Sequence, residues 1–257
     1  MSNHIFIIRF KHFNTIVSLL LIIAIWEALT RILNIPSYIL PSPLQIAITM
    51  DKYFEYLLMN LGNTLVSALA GLAIAAFFSL SLSILLSYSD FVRSTIYPLI
   101  TGFNAVPRAA LVPLLALWFG LGFLPKVLTA FLIAFFPILV PTLTAMITIE
   151  KELYELLLSL GATKSQILIK IALPRAMPYF LSSLHIGLTG AFVGTVIAEM
   201  IASSNGLGYV ILSSTSRLDT PLAFSCLFLL TLTTIAISKI LSIVERRVVK
   251  WAYRAGV

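Results

Sequence analysis

Apolar residues run along the chain in long stretches, and short polar segments separate them. Six stretches are long enough to cross a bilayer, which takes about 20 residues of helix. They contain helix formers and glycine and lack the alternating pattern of a membrane β-barrel. The pattern predicts an all-α integral membrane protein whose spans lie at about residues 14–33, 61–87, 96–119, 124–148, 176–200 and 222–244.

One polar-tolerant segment, residues 150–174, lies between the fourth and fifth predicted spans. Its first half carries four leucines with the i, i+3, i+4, i+7 spacing of one helical face. They are Leu153, Leu156, Leu157 and Leu160. Gly161 is expected to end this helix, because glycine adopts positive φ without a steric penalty.

A second short helix is predicted after this bend. Thr163 and Gln166 have the spacing of a capping box, so the helix should begin at Lys164. Pro174 is expected to end it, because proline lacks an N–H and its ring clashes with the preceding turn. Segment 150–174 is therefore predicted to form helix, bend and helix.

Composition supports the membrane assignment. Of the 257 residues, 60% are hydrophobic and 11% are charged, whereas about a quarter are charged in soluble domains. The single cysteine, Cys226, cannot form an intrachain disulfide and is expected to pack. The first apolar run continues to Leu33 without a small-residue cleavage site, so we predict a retained span. With no internal repeat, we predict one transmembrane domain over residues 1–257.

Lys and Arg residues predict the orientation, because they concentrate in cytoplasmic loops. With the N-terminus inside, twelve of the 17 face the cytoplasm, among them Arg9, Lys11 and Arg254. Four lie outside, Arg31, Lys52, Lys126 and Arg217, and the seventeenth, Arg108, lies within the third span. Both termini and segment 150–174 are then cytoplasmic. The net charge of +7 needs no nucleic-acid partner to explain it.

Two segments are predicted on the outer side. Residues 35–60 carry three prolines and then a mixed stretch, which indicates a turn followed by an amphipathic helix on the membrane surface. Residues 203–221 are rich in Ser, Gly and Asn and are predicted to form a loop.

Small residues recur at every fourth position of the second span, at Asn63, Ser67, Gly71, Ala75, Ser79, Ser83 and Ser87. Such a face lets another helix approach closely. It indicates either packing within the chain or a moving or subunit interface. Gly190 and Gly194 add a GxxxG arrangement in the fifth span, which alone is weak evidence for dimerisation.

Arg108 lies in the third span between Pro107 and Pro113. A charge inside a membrane is costly, so Arg108 is a candidate for the substrate path. The alternative is a helix that ends near Pro107, with Arg108 at an interface or in a structural pair. Glu27 and Glu199 lie near predicted membrane boundaries, which favours structural roles, but Glu199 is kept as a second substrate-path candidate.

Several kinds of chemistry have no support in the sequence. His185 has no His or Cys at ligand spacing, so no metal site is predicted. The chain contains no P-loop, HExxH or GxSxG motif, and we predict neither catalytic residues nor a bound cofactor. Any ATP chemistry must come from another chain.

Segment 150–174 resembles the EAA loop of ABC importer permeases, which reads EAA, three residues, Gly, nine residues and I-x-LP. The matching positions are Glu155, Leu156, Leu157, Gly161, Ile171, Leu173 and Pro174. The chain departs from the pattern at Leu156 and Leu157, where the family often has alanine. Residues 39–43, 107–122, 135–138 and 198–211 also resemble the permeases for nitrate, sulfonates, taurine and related solutes.

The resemblance implies a type I importer permease in the bacterial inner membrane, acting as a homodimer with two ATPase subunits and a solute-binding protein. ATP and Mg²⁺ would be used by the ATPases. The seven EAA-loop residues would couple the permease to them, and the leucine face would seat against the ATPase or the neighbouring spans. Glu155 would hydrogen-bond backbone donors of the bend or a basic residue of the partner, and Pro174 would redirect the chain.

Arg108, with few acidic residues in the spans, suits a small anion such as nitrate, a sulfonate or taurine. The alternative function is a proton-coupled secondary transporter, but that class favours several ionisable groups in the spans and internal repeats. A membrane enzyme of lipid metabolism is the other alternative, and it would need paired catalytic groups or metal ligands. Neither set of features is present in the sequence.

Overall fold

The computed structural model describes residues 2–251, with residues 2–16 and residue 90 described by their backbone alone. This part of the chain is helical. The helices are α1 Ser2–Ile32, α2 Pro43–Lys52, α3 Phe54–Tyr88, α4 Asp90–Asn104, α5 Val112–Phe119, α6 Phe123–Ile147, α7 Lys151–Ser159, α8 Lys164–Ile167, α9 Leu173–Ala202, α10 Leu207–Ser216 and α11 Thr220–Val248. A 3₁₀ turn, Arg108–Leu111, precedes α5, and a π-helical segment, Leu168–Ala172, joins α8 to α9.

Four helices in the described chain are long and apolar enough to cross a membrane: α3, α6, the continuous helix Lys164–Ala202, and α11. They coincide with the second, fourth, fifth and sixth predicted spans. The third predicted span is broken, because its two halves, 91–104 and 108–119, meet at an angle of 83°. Four of the six predicted spans are therefore confirmed, or five if the bent pair is counted as one span.

Some of the sequence predictions fall on residues that are described partly or not at all. The first predicted span lies within α1, whose residues 2–16 have backbone only, and Arg9 and Lys11 belong to that part. Arg254 lies outside the described residues. The orientation deduced from these charges stays a prediction.

The chain divides into two compact units, and the first contains residues up to 58 together with 210–229. Inside it, the Trp26 ring stacks on Phe228, with ring centroids 6.2 Å apart. The Ser225 hydroxyl donates to the Ile46 carbonyl at 3.2 Å. These contacts join α1 and α2 to the first turns of α11. The prediction that the whole chain is one transmembrane domain is not tested by this division.

Glu27 also belongs to the first unit. Its carboxylate accepts hydrogen bonds from Arg31 at 2.6 Å and from the Leu44 N–H at 3.0 Å. This is the structural role that its position in the sequence favoured.

The second unit contains residues 59–209 and the chain from residue 230 onward. Its core lies where α6 packs between the small-residue faces of α3 and α9. A Cβ atom at Gly71 would lie 2.8 Å from the Val127 carbonyl oxygen, and one at Gly194 would lie 2.9 Å from that of Thr129. The Ser79 hydroxyl donates to the Phe135 carbonyl at 2.9 Å. In the described chain, both faces therefore serve packing within the chain.

The prediction that Pro174 ends the second short helix is wrong. Residues 164–202 form one continuous helix, and Pro174 lies in the first turn of α9. The preceding π turn accommodates it, because the Leu173 N–H bonds to Leu168, five residues back, instead of four. The wider turn relieves the clash and the lost i→i−4 bond that proline would cause in a regular α-helix.

The two predicted outer segments depart from expectation in different ways. The loop predicted at residues 203–221 includes α10. The mixed stretch after residue 43 is divided at Tyr53, so that only its first part forms the short helix α2 and the rest begins α3. A capping box between Ser42 and Gln45 starts α2.

Candidate functional site

The bend at Gly161 has the geometry that the sequence predicted. Gly161 has φ of +85°, in the left-handed region that favours glycine. The Ala162 N–H donates to the Leu157 carbonyl and the Gly161 N–H to the Leu158 carbonyl, both at 3.0 Å. These two bonds form a Schellman motif, which satisfies carbonyls at the end of α7 and fixes the direction of the bend.

The helix after the bend begins as predicted at Lys164. The Gln166 N–H donates to the Thr163 hydroxyl oxygen at 3.3 Å, and the Thr163 N–H donates to Oε1 of Gln166 at 2.8 Å. The reciprocal pair is a complete capping box. Ile167, only 3% exposed, then anchors α8 in the unit.

The leucine face of α7 is largely open. Leu156 is 54% exposed and Leu160 is 75% exposed, while Leu157 is half-buried. Leu153 is 36% exposed. The leucine face is therefore not seated against the neighbouring spans, which was one of the two alternatives. The face remains available to another protein.

Glu155 does not hold the bend. Its carboxylate lies 3.7 Å from the Lys151 Nζ on the same helix, and both side chains are mostly exposed. The N–H groups of the bend donate instead to the carbonyls of Leu157 and Leu158. An exposed pair of this kind contributes little to stability, so Lys151 holds the Glu155 carboxylate only weakly.

The remaining residues of the EAA-like pattern lie where segment 150–174 runs into α9. Ile171 belongs to the π segment, and Leu173 and Pro174 begin α9. All three are half-buried. The segment is thus joined to α9 without a break in the helix.

Arg108 begins the 3₁₀ turn at the break of the third span. Its guanidinium lies 5.2 Å from the centroid of the Phe136 ring, a cation–π distance, and 3.5 Å from the Asn104 carbonyl. Phe136 also borders an apolar cavity of about 310 Å³ between α4 and α6. The cavity is lined by Leu99, Ile100, Phe103, Phe131, Leu132, Phe135 and Phe136.

Glu199 occupies a different, fully buried position in α9. Its carboxylate accepts hydrogen bonds from the Thr64 hydroxyl and the Gly208 N–H, each at 2.9 Å. Lys126 Nζ lies 3.9 Å away. Glu199 therefore ties α3, α6 and the start of α10 to α9.

The sequence did not predict the burial of Lys126 or the polar contacts around it. Lys126, counted from the sequence among the outer cations, is 3% exposed, and its ammonium donates to Oδ1 of Asn205 at 2.8 Å. Asn60 accepts a hydrogen bond from the Gly206 N–H at 2.8 Å. These partners are 79 and 146 positions apart, so no local pattern in the sequence indicates them.

His185 is hydrogen-bonded, as its isolation in the sequence favoured. Its Nδ1 lies 2.9 Å from the Ser238 hydroxyl, and its Nε2 lies 3.2 Å from Glu245. Over the described part of the chain, no group of three or more His, Cys, Asp or Glu side chains could hold a metal ion.

Known proteins are similar to this chain in sequence and in fold. A family model described as binding-protein-dependent transport system inner membrane component matches residues 71–252. The formylaminopyrimidine transport permease of Halalkalibacterium halodurans is 33% identical over 214 residues, 83% of this chain and 85% of the relative. The taurine transport permease of Escherichia coli is 27% identical over 241 residues, 91% and 88% of the two chains.

Among solved structures, an inward-facing methionine ABC transporter chain is similar with a TM-score of 0.63 at 19% identity. The match covers 75% of this chain and 96% of the other. It confirms the all-α, type I importer permease fold. The chain therefore belongs to the binding-protein-dependent transport system inner membrane component family and is a permease subunit of an ABC importer for small solutes.

Proposed function

We propose that this permease acts as a homodimer with two separate ATPase subunits and an extracytoplasmic solute-binding protein in a bacterial inner membrane. Both termini and the coupling segment, residues 150–174, lie in the cytoplasm in this arrangement. ATP and Mg²⁺ are used by the ATPases, and this chain performs no covalent chemistry. The observation that carries the proposal is the open leucine face of α7, held in place by the Schellman bend.

Docking of α7 into a groove on the ATPase buries this face. Leu156 and Leu160 are its most exposed members. Complete burial of a leucine side chain contributes about 1.5–3 kcal/mol. Apolar burial therefore supplies the affinity, while Glu155 supplies a charge that a basic residue of the ATPase can pair with.

The continuous helix from residue 164 to residue 202 supplies the mechanical connection. Because α8 runs through the π segment into α9, a displacement of the docked segment moves the membrane helix directly. The predicted stop at Pro174 would have placed a flexible joint at this point. The continuous helix instead supports a rigid connection, through which closing of the ATPase pair rotates or shifts α9.

The experiment uses the full chain, tagged and purified from membranes of its source organism. The wild type should retain a P-loop ATPase, identified by peptide sequencing and by ATP hydrolysis in the eluate. Leu156→Glu combined with Leu160→Glu should lose most of that ATPase, because two charges then occupy the apolar face. Membrane insertion should be unchanged, since both side chains are exposed.

Leu44→Glu is the matched control, because Leu44 is a 50% exposed leucine on the short helix α2, predicted on the opposite side. It should leave ATPase retention intact. Equal retention of the ATPase by the wild type, the double variant and the control would contradict the docking proposal. Uptake by vesicles that hold a proton gradient but no ATP would favour the secondary transporter instead.

For the solute, the cavity beside Arg108 favours a small, flat aromatic compound. Four of its seven lining residues are phenylalanines, which stack on flat rings. The Arg108 guanidinium beside Phe136 adds a hydrogen-bond donor for a ring nitrogen or an acidic group. The formylaminopyrimidine permease among the relatives transports such a compound by its name.

A small anion, such as nitrate, a sulfonate or taurine, is the second candidate. Arg108 is the observation that favours it, and the taurine permease is the relative that supports it. Uptake of labelled formylaminopyrimidine and taurine into cells that express the complete transporter separates the two. ATP-dependent uptake of taurine alone would reject the aromatic solute, and the reverse result would reject the anion.

A further inference from the structure

A second cavity, of about 280 Å³, opens beside the coupling segment. It lies where the end of α3, the start of α4, the end of α6 and the two short helices α7 and α8 come together. The proposed ATPase contact uses the exposed leucines of α7, which do not line this cavity. Its role is therefore separate from docking.

The cavity is strongly basic. Arg93, Lys151 and Lys164 line it, and no acidic residue is among its lining side chains in the described part of the chain. Lys151 lies 3.7 Å from Glu155, but that pair is exposed and weak, so it yields easily to a stronger anion. Basic residues from three helices thus line one space.

Part of the lining is apolar. Met146 and Ile167 are 2% and 3% exposed and form part of it, together with Ile147 and Leu168. A free inorganic anion gains nothing from such a wall. A phosphate ester attached to a hydrocarbon gains from both parts of the cavity, because its charge meets the cations and its chain meets the apolar side.

The position of the cavity at the ends of two membrane helices also fits an amphiphile. Two membrane helices end at its rim, α3 at Tyr88 and α6 at Ile147. Tyr88 and Tyr154 both line the space, and tyrosine is enriched at the level of lipid head groups. Basic pockets between membrane helices on the cytoplasmic side are suited to anionic lipid head groups.

We propose that this cavity binds the phosphate head group of an anionic phospholipid of the inner leaflet. The bound lipid joins the coupling segment, through Lys151 and Lys164, to the ends of α3 and α6. It holds α7 and α8 in the position from which they can engage another subunit. The site is distinct from the substrate path and from the leucine face.

The test uses the purified full-length permease in neutral detergent, without ATPase or solute, so its outcome is independent of the transport proposals. Bound phosphatidylglycerol and phosphatidylcholine are counted by native mass spectrometry over a range of lipid concentrations. The wild type should prefer phosphatidylglycerol. Lys151→Gln combined with Lys164→Gln should weaken that lipid's binding roughly tenfold or more, because each lysine near an anionic head group contributes to affinity.

Lys170→Gln combined with Arg175→Gln is the matched control, since it removes two exposed cations of the same helical region that do not line the cavity. Its binding should stay within about twofold of the wild type. Wild-type protein that holds both lipids equally would overturn the proposal without reference to any variant. Equal loss in the two double variants would overturn it as well.

Inorganic phosphate and glycerol 3-phosphate are added as competitors to distinguish the source of the phosphate group. Neither should displace phosphatidylglycerol at concentrations where the lipid itself competes, because neither uses the apolar wall. Displacement by either one at comparable concentration would assign the cavity to a soluble phosphate and reject the lipid.

Discussion

The Glu199 carboxylate accepts a hydrogen bond from the Thr64 hydroxyl at 2.9 Å, although the two residues are 135 positions apart. The same hydroxyl oxygen accepts the Leu207 N–H at 2.9 Å, so it connects α3 to both α9 and the start of α10. Both side chains are fully buried. In a low-dielectric interior such a polar cluster stabilises one arrangement only when each member has its partner.

Glu199→Ala should therefore destabilise the permease strongly. The substitution leaves the Lys126 ammonium buried near an empty space and removes the acceptor of the Gly208 N–H. Removal of one member of a buried pair costs about 3–5 kcal/mol. The measurement is thermal unfolding of the purified protein in detergent. The matched control is Glu152→Ala, which removes an exposed carboxylate and should change stability by less than about 0.5 kcal/mol.

The pair of Glu199 and Lys126 should also be coupled. Glu199→Leu combined with Lys126→Met replaces both charges by apolar groups, and its loss of stability should be smaller than the sum of the two single losses. Additive losses would show that the 3.9 Å separation reflects no energetic interaction.

The sequence predicts the elements of this protein better than it predicts the contacts between them. The spans and the capping box at Thr163 follow from periodicity and from residues three or four positions apart. The Gly161 bend follows from the left-handed conformation that glycine tolerates. Each of these signals is local.

The errors have a common cause. Pro174 was expected to end a helix by a local rule, but the π turn before it accommodates the ring. Lys126 was counted among the outer cations from charge alone, but Asn205 and Glu199 supply buried partners from distant parts of the chain. Periodicity carries no information about such partners.

Close packing of α9 on α6 gives a third prediction. Gly194→Ala would place a Cβ 2.9 Å from the Thr129 carbonyl oxygen and 3.0 Å from the Ala130 Cα. Both are backbone atoms that cannot move independently, so we expect a loss of about 1–3 kcal/mol in unfolding experiments. Gly62→Ala is the control, because nothing lies within 4 Å of its Cβ position, and it should be neutral or slightly stabilising. Similar unfolding midpoints for the two variants would contradict this packing.

Arg108 gives a fourth prediction. Arg108→Lys keeps the charge but loses the planar group that lies over Phe136, and Arg108→Ala loses both. If the guanidinium contacts the solute, uptake of the true solute should fall with both variants and further with alanine. ATP hydrolysis by the assembled transporter in the absence of solute should change little. Unchanged uptake with Arg108→Ala would remove Arg108 from the substrate path.

The bend of the coupling segment gives the last prediction. Gly161 has φ of +85° and nothing within 4 Å of its Cβ position, so Gly161→Ala adds backbone strain without a steric clash. A left-handed residue other than glycine costs about 1–2 kcal/mol. That cost is comparable to the stability of a short exposed bend, so α7 should lose its fixed direction while the membrane helices stay intact. Retention of the ATPase should fall several-fold, with little change in the unfolding midpoint.

Gly161→Asn should restore part of the ATPase retention, because asparagine tolerates this region. Gly102→Ala is the control, since that glycine also has open space but lies in α4 with ordinary φ. Equal ATPase retention in Gly161→Ala and Gly102→Ala would show that coupling does not depend on the geometry of the bend.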